Sequence, residues 1–486
     1  MRAKIFSLLL IIFVVSIILL MQLPLLFEPF GPNSQGDTGL WALVAYNHFS
    51  TFEQVGWLSD PVVPQPPLMG WLIFLFFKAF GIHDYTVRLF SLIFSVTSSI
   101  LLFAIVHHLY GRNVAFFSSV IFISHPLTLH VQLVNVLMEV PMITFILASL
   151  FCITCVKSYV WRHVSASLFL ALAVATKFTA IYFLPIFLLG TENKHSAKQM
   201  IYYSLISMSV LGAICLFQSP DVISNFTWRI NFNLLFQSNY WSNVYTITNQ
   251  SSLFSLFIVI LLSLFLSENK KSIPVLLSLL AIFGANFLFF TETGTWYHQL
   301  FLFVMPLSVL CGKYVYLSTI QVYESFKQGV IYLKHINPFK NFLTAILILL
   351  FFITALISTI DMDMRECIGC YDRDIYKRAT FSVAKDLQQN DVVVLSGNYH
   401  VSSFLEFYLK SMLKSSQVDM ISFDDSPSMQ KSLNSSSRIN VYTILHKEYD
   451  SKSNPDLYQQ ISANFRLLAN FTDEYSIEHT IEVYQK

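Results

Sequence analysis

From Ile5 to Phe27 the chain carries no charged residue, and charge-poor runs of similar length recur along its first 360 positions. A run of that length wound as a helix is about 35 Å long, enough to cross roughly 30 Å of hydrocarbon. Lipid offers the backbone no hydrogen bonds, so such runs are confined to helices that pack on one another. Of the 59 Asp, Glu, Lys and Arg residues, 28 fall in the first 360 positions and 31 in the last 126. The chain therefore divides near Asp361 into a membrane part, 1–360, and a water-soluble tail, 361–486. A net charge of +1 gives no electrostatic footprint for nucleic acid and excludes that class of partner.

Lys4 precedes the first run and no small-residue cleavage site follows it, which predicts a retained span. Further spans are expected near 86–110, 114–132, 137–156, 200–217, 252–267, 273–291, 297–317 and 341–360. Between Arg162 and Glu192 the only charge is Lys177, with 13 or 14 residues on each side. Lys157, Arg162 and His163 before this stretch, and Lys194, His195 and Lys198 after it, belong together on the cytoplasmic side, which favours two short helices folded back at Lys177. Pro66 to Gly81, flanked by Asp60 and Asp84, reads as a helix lying at the membrane surface. The expected architecture is a polytopic α-helical membrane protein of about 11 spans with the N-terminus in the cytoplasm. Residues 28–85, the stretch around Glu139, residues 218–250 and the whole tail then lie outside.

The tail combines helix-like Ile375 to Leu387 with strand-like Val392 to Leu395 and Ile439 to Ile444, which predicts a soluble α/β domain. It holds no Gly-rich phosphate loop, HExxH or GxSxG, so acceptor binding or packing on the membrane part suits it better than catalysis. Cys152, Cys155, Cys215 and Cys311 lie in apolar runs as packing residues, while Cys367 and Cys370 in the tail are either a local disulfide or free thiols. Sequons at Asn225, Asn249, Asn434 and Asn470 fall in the outer segments and have meaning only outside bacteria.

The segment Gly36-Asp37-Thr38-Gly39-Leu40-Trp41-Ala42 follows the first span and places a carboxylate at the membrane surface. Asp37 is either the N-cap of a helix whose Leu40, Trp41, Val44 and Tyr46 sit among headgroups, or a reactive acid. Lys177 lies at a helix break inside the membrane, where an idle ammonium is costly, so it reads as functional rather than snorkelling. Arg88, preceding a span, is either a snorkelling cation or a ligand for an anion. Glu139 opens a span with Pro141 in its first turn, as a capping acid or a second reactive one.

Taken in order, Asp37, then Pro64-Gln65-Pro66-Pro67-Leu68 with Trp71, Arg88-Leu89, Glu139-Val140-Pro141-Met142, Thr176-Lys177 and Tyr297-His298 before Pro306 form a pattern. It resembles the GT-C type polytopic glycosyltransferases, in the family of protein O-mannosyltransferases and the aminoarabinose transferase of lipid A, over roughly the first 320 residues. The resemblance implies an inverting enzyme that takes a sugar from an undecaprenyl- or dolichyl-phosphate carrier and transfers it to a lipid, protein or glycan acceptor on the extracytoplasmic face. It assigns catalysis to Asp37 as base and to Glu139, which would hold sugar hydroxyls or orient Asp37. Binding of the carrier phosphate and sugar falls to Lys177, Arg88, Tyr297, His298 and Gln65. Tyr297 and His298 have an alternative as aromatic anchors at the interface. Many members carry a lysine where this chain has Gln65, and a neutral amide bonds phosphate without neutralising it, which leaves more to Lys177 and Arg88. No cofactor is expected, and the absence of a DxD-like pair in the outer loops predicts a reaction without a metal. The lack of retention or transit signals favours a bacterial inner membrane. The competing class is a transporter or flippase for lipid-linked sugars, which would show two halves with paired broken helices where only one short pair is visible.

Overall fold

A computed structural model describes residues 2–27, 36–50, 68–125, 128, 136–177, 179, 180, 183, scattered positions from 198 to 212 and from 304 to 316, then 375–388, 391–396, 399–413, 419–423, 440–472 and 480–486. The expected spans at 252–267, 273–291 and 341–360 lie outside these residues, and those at 200–217 and 297–317 largely so. The count of eleven therefore falls there too.

Among the described residues the first part has seven continuous helices: α1 (Arg2–Leu26), α2 (Gly36–Ser50), α3 (Leu68–Phe80), α4 (Asp84–Tyr110), α5 (Arg112–Ser124), α6 (Glu139–Cys155) and α7 (Tyr159–Thr176). Among the described residues α4 and α7 are long and apolar enough to cross a membrane, and α3, α5 and α6 are shorter apolar helices. The breaks have local causes. Gly81 and Gly111, at φ +85° and +94°, end α3 and α4 in a conformation that side chains resist, and each donates its N–H back to the helix it closes, to Phe77 O and His107 O.

Side-chain bonds tie neighbouring helices across the apolar interior. Thr144 Oγ1 on α6 donates to Phe94 O on α4 at 3.0 Å, and Ser149 Oγ on α6 donates to Ala166 O on α7. Small hydroxyl residues at such contacts let helices approach closely where lipid supplies no hydrophobic drive. α7 starts at Tyr159, after Lys157 but ahead of Arg162 and His163, the other two basic residues expected to precede it, and so spans 18 residues. Its first turn tolerates Arg162 and His163 because Arg162 Nε donates to Val156 O and His163 Nδ1 bonds Tyr159 O. The half before Lys177 is thus long enough to cross by itself, and the argument for a fold-back from its shortness does not hold for this half.

The tail follows as α8 (Ile375–Ala384), β1 (Val392–Leu395), α9 (Tyr399–Leu413), β2 (Asp419–Ser422), β3 (Val441–His446), α10 (Lys447–Ser453), α11 (Pro455–Asn464), β4 (Arg466–Thr472) and β5 (Thr480–Gln485). The sheet order is β2-β1-β3-β5-β4. The first three strands are parallel, with Val392 opposite Asp419 and Val441, while β5 runs antiparallel to β3 and β4 with a shift between Leu467 and Ala469. An unbroken Val-Val-Val-Leu strand has both faces buried. Val393, Leu395, Tyr442 and Ile444 meet α8 and α9 on one face, and Val392, Val394, Val441 and Leu445 meet α11 on the other.

The tail and the membrane part share one apolar core. Residues of α2, α3 and the start of α4 cluster with α8, α9 and the sheet. Phe77 of α3 stacks on Phe407 of α9 at 6.3 Å. Leu40, Trp41, Ala42, Leu43, Val44 and Ala45 are all buried. α2 is therefore not a helix with an apolar face among headgroups: α3 covers one side and α9 of the tail another. An apolar face looks the same in sequence whether lipid or protein covers it.

Candidate functional site

The site is built where α2, α4, α6 and α7 bring one end together. α4 and α6 run the same way, since the start of each, Val87 and Phe90 in one and Met138 just before the other, joins the core shared with the tail. The Thr144 to Phe94 bond fixes their register. Arg88 lies six residues before Phe94 and Glu139 five before Thr144, so at about 1.5 Å rise per residue the two stand within about 2 Å of the same level. α6 and α7 are joined by residues 156–158 and run antiparallel. From the Ser149 to Ala166 bond, ten residues back is Glu139 and eleven residues on is Lys177.

That register closes on an ion pair. Lys177 Nζ donates to Glu139 Oε1, with Glu139 1% and Lys177 8% exposed. Glu139 occupies the first turn of α6, where the free N–H groups favour an acid, and Pro141 follows where no N–H is needed. Lys177 closes α7, its N–H bonded to Ala173 O, and a cation is favoured at that end. Two helix ends of opposite polarity thus present opposite charges to each other. Arg88 is buried as well, at 8% exposed, on the helix beside them.

Asp37 sits in the first turn of α2, and its side chain lies outside the described residues. The backbone of its turn is held through the next residue. The buried N–H of Val136 donates to Thr38 Oγ1 at 3.1 Å, which ties the turn bearing Asp37 to the chain three residues before Glu139. Gln65, Tyr297 and His298 lie outside the described residues. The structure therefore joins Glu139 to Lys177, sets Arg88 level with them and brings the backbone of Asp37 to the same end. Among the described residues no group of three or more His, Cys, Asp or Glu side chains is gathered to hold a metal.

Two groups were missed in the sequence. Thr38, beside an acid at a helix start, carries no local mark of a distant partner, yet it accepts from Val136. Asp84 reads in sequence as a flanking charge, yet it accepts from Tyr408 Oη at 3.0 Å and lies 3.8 Å from Lys377 Nζ, joining α4 to both α9 and α8. Tyr46 Oη on α2 donates to Lys410 O on α9 at 2.9 Å. Nothing local marks these as partners, since they lie more than 290 positions apart.

Residues 64–217 match the family described as dolichyl-phosphate-mannose-protein mannosyltransferase. No curated protein matches the chain. Among solved structures, ArnT from Cupriavidus metallidurans bound to undecaprenyl phosphate is similar over 100% of this chain and 98% of its own, at 12% identity and a TM-score of 0.57. The same protein in the apo state gives 12% identity and 0.58 over the same shares. The archaeal oligosaccharyltransferase AglB from Archaeoglobus fulgidus, in complex with an inhibitory peptide and a dolichol-phosphate, is similar over 92% of this chain and 70% of its own, at 9% identity and 0.55. These structures share the fold across the membrane part and the tail alike, and the resemblance to the GT-C glycosyltransferases stands on both the family match and the fold.

Proposed function

We propose that this chain, a glycosyltransferase carrying a mannosyltransferase-family segment on a GT-C fold, moves a sugar from a polyprenyl-phosphate carrier to a lipid, protein or glycan acceptor on the extracytoplasmic face of a bacterial inner membrane. The observation that carries this reading is the buried Glu139–Lys177 pair, with Arg88 beside it, at the end where α2 delivers Asp37. Charges in so apolar a setting are costly and are kept for function by default.

In the reaction, the Asp37 carboxylate accepts the proton of the acceptor hydroxyl or amine as its oxygen or nitrogen bonds the anomeric carbon. The bond from that carbon to the phosphate oxygen breaks, and its electron pair leaves with the polyprenyl phosphate. Attack from the face opposite the phosphate inverts the anomeric centre. Arg88 offsets the charge growing on the leaving phosphate, with Gln65, Tyr297 and His298 as further donors from the outer segments. Lys177 is held by Glu139, so it acts as half of a near-neutral pair: its remaining N–H bonds point to phosphate while Glu139 keeps the ammonium in place. Residues 1–360 form the catalytic unit, and 361–486 the outer domain that covers α2.

The experiment is transfer of labelled sugar by the purified chain in lipid, from a panel of synthetic polyprenyl-phosphate sugars to an envelope extract, with wild type beside Asp37→Asn. Transfer that disappears in a folded Asp37→Asn supports the reading. Carrier binding without transfer in either protein refutes it in favour of a flippase, and a product of retained configuration refutes the inverting mechanism.

A further inference from the structure

We infer that Thr38 is a positioning residue of this site, resting on the reading of Asp37 as base: its hydroxyl is the tether that sets the Asp37 turn against the start of α6, where Glu139 and Lys177 are paired. The hydroxyl accepts the N–H of Val136 across 98 positions of sequence, and both residues are buried, at 0% and 2% exposed. Neither α2 nor the segment 136–138 supplies this bond from its own backbone. It is a long-range link, 98 positions apart in sequence, between the two pieces of chain that carry the acids.

The rest of α2 shows why one bond has this effect. From Leu40 to Ala45 the helix is buried on all sides by apolar contacts with α3 and α9, and Tyr46 Oη fixes its far half to Lys410 O. Apolar packing sets which elements touch, but it is not directional and tolerates small rotations and slides along the axis. A hydrogen bond at the first turn selects one rotation and one height for Asp37, the residue immediately before it. Displacement of a reacting group by about 1 Å can cost about 100-fold in rate. Thr38 touches neither donor nor acceptor in this account and acts only through the placement of Asp37.

The test uses the full chain in lipid nanodiscs with Thr38→Val and Thr38→Ser. Valine keeps the shape and removes the acceptor, leaving the Val136 N–H without its partner, and serine keeps the acceptor. Expected are a kcat lowered about 10- to 100-fold in Thr38→Val with the donor KM within about twofold of wild type. Thr38→Ser should recover most of the rate. Hydrogen exchange at Val136 should accelerate in Thr38→Val and stay protected in Thr38→Ser. A Thr38→Val enzyme with unchanged kcat, unchanged exchange at Val136, or a loss that serine does not recover would each overturn the assignment. A wild type inert toward every donor overturns the parent reading and the positioning role with it, and the unaltered protection of Val136 in that protein would distinguish this from a missing tether.

Discussion

The Glu139–Lys177 pair makes the sharpest quantitative claim. Two unit charges in contact at about 3 Å attract by roughly 5 kcal/mol at an effective dielectric of about 20, which offsets a desolvation penalty of several kcal/mol for each ion. The intact pair therefore contributes little net stability, whereas removing one partner takes this attraction away from a buried charge that has already lost its water. With Glu139 1% exposed there is no route by which it regains water without opening the contact of α6 with α7. Lys177→Met and Glu139→Gln should each cost about 3–5 kcal/mol, and the double variant substantially less than their sum, with a coupling of about 2–3 kcal/mol. Melting of the four proteins in nanodiscs reads this as a fall of roughly 3–5 °C for each single variant, with partial recovery in the double.

The two possible uses of Lys177 give different patterns. If the ammonium were a ligand kept for the carrier phosphate and held by nothing else, Glu139→Gln would leave stability unchanged and only Lys177→Met would weaken binding of undecaprenyl phosphate. Paired as the structure shows, both variants lose stability, and Glu139→Gln also weakens phosphate binding because Lys177 is no longer aimed. Single variants that melt with wild type, or a double that loses the full sum, would refute the pairing.

Three further outcomes follow from other contacts. A methyl group at Gly312 would lie 2.5 Å from the backbone nitrogen and 2.7 Å from the Cα of Ser118 on α5, so Gly312→Ala should cost at least about 1–3 kcal/mol and lower the yield of folded protein in a detergent gel-filtration assay. Tyr408→Phe removes the donor to Asp84 between α9 and α4, and should loosen the tail by about 1–2 kcal/mol, read as faster hydrogen exchange in α8 and α9 with the membrane helices unaffected. In the tail, burial works to raise the Glu482 carboxyl, but donors from Tyr458, Tyr484 and Lys447 outweigh it and hold the carboxyl below its usual range. The stability it gives is therefore present above the ordinary glutamate pKa and lost as the pH falls through the lowered one. Tyr484, pushed up to about 12 by burial first and by Glu482 second, gives the opposite limb: above about pH 10 the unfolded chain ionises and the folded tail does not, so protection of β5 from exchange should decline there too.

Much of the architecture was legible because charge is so scarce. The run Ile5–Phe27 and the charge-poor stretches near 86–110 and 137–156 map onto α1, α4 and α6 within a few residues, and the Val392–Leu395 strand is found as read. What escaped was everything set by partners distant in sequence. Apolar residues of α2 do not reveal whether lipid or the tail covers them. Arg162 and His163 looked like a helix boundary, because the backbone carbonyls that accept them belong to the previous connection and to the helix itself. In β5 the alternation of Ile481 and Val483 is plain, but Glu482 between them looks solvent-facing until the two tyrosines that cover it are placed.

The site follows the same logic one step further. A lysine inside an apolar run signals that an anion must meet it, and sequence alone offered a ligand phosphate as that anion. Glu139, buried in the first turn of another helix, has the converse need, and the antiparallel register of α6 and α7 satisfies both at once. A buried charge in a membrane chain thus calls first for its protein partner, and the pair so formed is what the proposed site is built on. Under the proposed reaction the proton acceptor is Asp37, and Lys177 serves as the cation that Glu139 holds in place.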